Sequence, residues 1–184
     1  MIAAGYMAKR VADRPGWLGV GISDIYSVSN CISPDFADFI NFWRHNGFWF
    51  FDSPEIIDQL AAEHEIDLSG TKLFYYQVLE EQFNEDWTPF SPDASMTTQV
   101  SEPREPVLEG FDVVSFYVES SPECSPLSCN SLASEVRVNQ HCLLSSEREA
   151  RELIESGRLE HAEPGPYRIF AVYSVDTPWP PTGA

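Results

Sequence analysis

An α+β (or α/β) fold of two similar strand-helix-strand halves is what this 184-residue sequence predicts, and three observations carry the expectation. Arg44, Asn46, Ser53 and Leu60 reappear as Arg137, Asn139, Ser146 and Leu153, each 93 positions later. Behind the recurring serine, Ile57, Leu60 and Ala61 match Ala150, Leu153 and Ile154, so the apolar stripe falls on the same helical face in both copies. Apolar runs of strand type alternate with these helices, as in mixed sheets covered by helices and related by a pseudo-twofold.

The elements follow in order. Met1 to Pro15 shows no clear period, and Trp17 to Ser29 reads as one or two strands. Ser33-Pro34-Asp35 is a helix start, after which Phe36, Phe39, Ile40 and Trp43 define an amphipathic helix ending near Asn46-Gly47. Phe48 to Phe51 reads as a short strand, Ser53-Pro54-Glu55 opens a second helix to about His64, and Lys72 to Leu79 is a buried strand. In the second half, Phe111 to Val118 and Gln140 to Leu144 read as strands. Ser146-Glu147-Arg148-Glu149 has capping-box spacing, and Tyr167 to Val175 is the last strand.

These elements divide the chain into a half-repeat at 1–83, a Pro-rich acidic connector at 84–107 and a second half-repeat at 108–184, forming one globular unit. Trp87 and Phe90 are too apolar to leave the connector unattached. A content of 43% hydrophobic and 13% aromatic residues suits a packed core.

The formal charge of −18 is spread over both halves and the connector rather than gathered in a tail. It favours basic partners and disfavours nucleic acid and anionic membrane. The amino terminus shows no secretory pattern and the four cysteines are irregularly spaced, so a cytoplasmic location with free thiols is expected.

The loop Cys124 to Asn130 is the strongest candidate for chemistry. Cys129 as nucleophile, His141 as base and Asn130 or Asn139 as orienting amide would make a thiol-dependent hydrolase or transferase. Against it, the first half has Asn30-Cys31 but Phe48 in place of His141, which favours a structural role for the shared pair. Cys124, Cys129, His141 and Cys142 are of metal-ligand type, yet adjacent strand residues point to opposite faces, so no metal and no cofactor are expected. The charges of the helix from Glu147 to Arg158 offset one another at i, i+4, as on a solvated face.

The leading functional expectation is therefore a non-catalytic acidic interaction protein of the inhibitor, immunity or antagonist type, binding a basic protein surface. The alternatives are the Cys129/His141 enzyme and a self-associating structural protein in which strand edges pair between chains, with a homodimer as its simplest form.

Overall fold

The longest apolar runs of the two halves meet as neighbouring strands in one sheet. The structure is a computed structural model describing residues 1–19, 21–37, 44–92, 99–117, 121–175 and 179–180. Its elements are β1 (Ile2–Arg10), β2 (Ala12–Asp13), β3 (Asp24–Ile25), α1 (Pro54–Glu63), β4 (Thr71–Phe83), β5 (Trp87–Pro89), β6 (Pro106–Ser115), α2 (Glu147–Glu155) and β7 (Tyr167–Val175). Strands β1-β4-β7-β6 lie side by side, β5 folds back on β4, and β2 pairs with β3 as a separate ribbon. The fold is α+β.

One expectation about pairing is corrected. Every strand pairing among the described residues is antiparallel, where a mixed sheet was expected, and a single sheet crosses both halves. The two halves join where β4 and β7 pair edge to edge, with Tyr76 opposite Val172. Gly5 also pairs with Tyr76 and Gly110 with Val172, so the four residues form one row across the sheet. At both glycines the outer strand bulges.

Strand β1 had no readable period because Ala4 to Lys9 are all buried, which removes the alternation that marks a half-exposed strand. The runs Phe48 to Phe51 and Gln140 to Leu144 are turns rather than strands. In the first, Trp49 has φ 68°, and in the second Cys142 has φ 64°, a left-handed conformation that no strand accommodates. Within these runs, the bridges to the sheet are made by their last residues, Phe51 to Tyr6 and Leu144 to Phe111. Two further bridges join Lys9 to Asp35 and Ser115 to Cys124. The helix expected across Phe36 to Trp43 falls mainly on 38–43, outside the described residues.

Both expected serine-led helices are present. Ser146 caps α2 by accepting from the Glu149 amide, and Glu149 Oε2 accepts from the Ser145 amide at 2.9 Å. Ser53 leads α1 in the same extended conformation, with Pro54 inside the first turn. Helix α1 packs on β1 through Ile57, Leu60 and Ala61, and α2 packs on β6 and β7 through Ala150, Leu153 and Ile154. In the connector, Trp87 Nε1 donates to Glu155 at 2.7 Å and Phe90 lies under the Arg168 guanidinium. No helix among the described residues is long and apolar enough to cross a membrane.

Candidate functional site

Strand β1 turns one ammonium group into the interior. Lys9 is 1% exposed, and its Nζ donates to the carbonyls of Val28 (3.0 Å) and Ser29 (2.6 Å) and to Asn30 Oδ1 (3.1 Å). Burial pushes it down to about 8, opposed by the charges of Asp35 and Asp112. Asp35 in turn accepts from Asn30 Nδ2 at 2.6 Å and from the Ala37 amide at 3.0 Å.

From β6 comes the second buried charge. Asp112 Oδ2 accepts from the Val28 amide (2.9 Å) and Ser27 Oγ (3.4 Å), while Oδ1 accepts from Ser125 Oγ (2.6 Å). A single loop, 27–35, is thus held by β1 through Lys9 and by β6 through Asp112, which also anchors the loop carrying Ser125. Burial pushes the Asp112 carboxyl up to about 6, although the Ser125 and Val28 donors pull the other way.

That shift has a sign. A carboxyl whose folded pKa lies above its unfolded value contributes stability below the unfolded pKa, and the contribution is lost as pH rises through about 6. Asp112→Asn should remove this dependence. Chemical denaturation at a series of pH values is expected to show wild type losing up to about 3 kcal/mol relative to the variant between pH 4 and 7. A pH-independent difference would contradict it.

Where the two loops meet, three sulfurs gather. The Sγ atoms of Cys31, Cys124 and Cys129 all lie within 4.8 Å of one another, and all four cysteines are free thiols. Cys31 Sγ donates to the Glu123 carbonyl at 3.2 Å, and Ser29 Oγ lies 3.5 Å from Cys129 Sγ. The Asn130 amide donates to the Ala162 carbonyl at 3.1 Å and to Glu163 Oε1 at 2.5 Å, and stands 3.9 Å from Cys124 Sγ. Hydrogen bonds from Cys124 and Cys129 pull the Cys31 thiol down. Cys124 is pushed up, chiefly by giving its proton to these shared bonds. At Cys129 the bond with Cys124 lowers the pKa, but the bond with Cys31 and burial outweigh it. The exposed Cys31 is thereby the most readily ionised thiol of the trio.

The other residues singled out in the sequence fall elsewhere. His141 bonds Asp24 through Nδ1, approaches Glu109 Oε2 at 3.6 Å through Nε2 and stacks on Tyr26 at 4.0 Å. It stands outside the sulfur cluster, and among the described residues no hydrogen bond joins it to Cys129. Cys142 is buried in the apolar core beside α2, and burial pushes its thiol up to about 12. Asn139 is a turn bracket: Nδ2 donates to the Glu109 carbonyl at 2.6 Å, and Oδ1 accepts from the amides of His141 (2.9 Å) and Leu143 (3.1 Å). Asn46 does the same with the Ala4 carbonyl (2.8 Å) and the amides of Phe48 (2.9 Å) and Phe50 (3.2 Å).

No family model, curated protein or solved structure matches this chain. Its chemistry must be read from its own residues. Sequence reasoning reached Cys124, Cys129 and Asn130 but left Cys31 out of the cluster, although the mirrored pairs Asn30-Cys31 and Cys129-Asn130 carried the signal. It also passed over Lys9 and Asp112. Their mark was a charge adjoining apolar residues of a strand, Lys9 after Tyr6-Met7-Ala8 and Asp112 between Phe111 and Val113.

Proposed function

We propose that this chain is a non-catalytic acidic interaction protein that binds a basic protein surface. One observation carries the reading: the chain has 29 acidic against 11 basic residues, and nine of those basic side chains are engaged by neighbouring groups of the same chain. Lys9 is buried, Lys72 donates to the Tyr26 hydroxyl, and Arg168 lies between the rings of Phe90 and Phe116 at 3.6 and 3.9 Å. Arg10 and Arg14 bond main-chain carbonyls, while Arg44, Arg148, Arg151 and Arg158 pair with Glu63, Glu152, Glu81 and Glu147, and Glu135. A field of one sign then steers and orients a cationic partner.

An acidic groove of about 530 Å³ is lined by Glu55, Glu102 and Glu105 beside Tyr6, Ser101 and Arg104. Tyr6 donates to the Ser101 carbonyl at 2.6 Å; burial, with the charges of Glu55 and Glu102 adding to it, pushes this phenol up to about 12. An arginine-rich peptide is the probe. Glu55→Gln/Glu102→Gln/Glu105→Gln is expected to weaken its binding at least tenfold in low salt by fluorescence anisotropy. The equally neutralised control Glu80→Gln/Glu85→Gln/Asp86→Asn should lose far less. Equal losses would reduce the groove to nonspecific charge and overturn the docking role.

The two halves are, in the same reading, copies related by a pseudo-twofold through the Tyr76 and Val172 pair. The matched brackets of Asn46 and Asn139, the left-handed Trp49 and Cys142, and the bulged Gly5 and Gly110 support this. A cytoplasmic setting accords with four free thiols.

A further inference from the structure

We propose that Cys31, Cys124 and Cys129 form a binding site for a soft d10 divalent cation, zinc in the first place, which clamps the first-half loop onto the second. The three sulfurs come from two distant stretches of chain, yet lie within 4.8 Å of one another. Three thiolates around one zinc, at about 2.3 Å each, stand roughly 3.8 Å apart, so side-chain shifts of about 1 Å complete the set. A disulfide would engage two sulfurs and leave the third idle. A metal engages all three.

Chemistry around the cluster suits this ligand. Sulfur selects thiophilic cations over magnesium or calcium. Binding replaces the S–H protons, up to three per ion, and leaves a divalent ion with three thiolates at one net negative charge. The Lys9 ammonium, bonded to Ser29 and Asn30 next to Cys31, supplies a compensating positive charge. Asn130 holds the Glu163 carboxylate on the Cys124 side, where an oxygen ligand or a water would complete a tetrahedron. Cys31 is exposed, so the cluster is open to solvent on that side.

These ligands differ from Cys124, Cys129, His141 and Cys142, the set of metal-ligand type whose spacing argued against a metal. Cys142 and His141 are excluded by their positions in the core and on Asp24, and Cys31 takes their place. The site is independent of the acidic docking surface.

The test uses the full chain, reduced and desalted. Elemental mass spectrometry after growth with zinc is expected to find about one zinc per chain, and cobalt(II) titration should give a thiolate-to-metal charge-transfer band with proton release. Cys31→Ser should weaken zinc binding at least tenfold, while Cys142→Ser retains it. Because the cobalt titration needs only wild type, a variant that fails to fold does not remove the test. Absence of the cobalt band from a reduced protein with four titratable thiols would overturn the proposal. So would unchanged affinity in Cys31→Ser, or a native mass two hydrogens light from a disulfide within the trio.

Discussion

Replacing Lys9 with methionine is expected to destabilise the fold by about 3–5 kcal/mol, the usual cost of removing one partner from a buried ionic network. The stem is replaced at similar volume, so little packing is lost. What changes is the charge: Asp35 and Asp112 lose the buried cation that favours their ionised forms, and the Val28 and Ser29 carbonyls lose a donor. Urea unfolding at pH 7 measures the effect. Pairing the substitution with Asp112→Asn should restore part of the loss, because the carboxylate left uncompensated is then neutral. A Lys9→Met protein as stable as wild type would mean that the ammonium contributes nothing to holding the loops.

The second large effect is expected at the bulges. Gly110 has φ 150°, and a Cβ built there would stand 2.7 Å from the Leu144 carbonyl oxygen and 2.8 Å from Leu143 Cβ. These atoms belong to a turn bracketed by Asn139, so they cannot withdraw without breaking its bonds. Backbone strain of about 1–3 kcal/mol and a comparable overpacking cost put Gly110→Ala at roughly 2–5 kcal/mol. Gly5→Ala should behave alike, since its Cβ would meet Phe50 Cβ and the Phe51 carbonyl oxygen, both at 2.7 Å. Gly70 is the control. Its φ is 74° but nothing lies within 4 Å, so Gly70→Ala should cost about 1 kcal/mol. Thermal unfolding of the three variants would read the order directly, and a Gly110→Ala protein no worse than Gly70→Ala would refute the steric account.

Local chemistry made part of this fold legible. Tyr167 to Val175 is a strand because its aromatic and β-branched residues fit a central position, and the serines at 53 and 146 open helices because their extended backbone suits an N-cap. The runs after Asn46 and Asn139 misled because apolar letters suggest strands, whereas the asparagine amides fold them into turns by bonding two amides each. For the site, Cys129 and Asn130 stood out by residue type. Cys31 joins them through the crossing of loops nearly a hundred residues apart, and its trace in the sequence was the mirrored pair Asn30-Cys31 rather than any local spacing.

The four isolated bridges have a protective result. Both outermost strands, β1 and β6, would otherwise offer rows of unsatisfied amides and carbonyls to any neighbouring molecule. Phe51 and Asp35 occupy that margin on one side, and Leu144 and Cys124 on the other. On β6 the stretch ahead of the bulge stays open and carries exposed Val107 and Leu108, with Pro106 at its start lacking a donor. The chain thereby shields most of its outer margins from self-templated, amyloid-like growth.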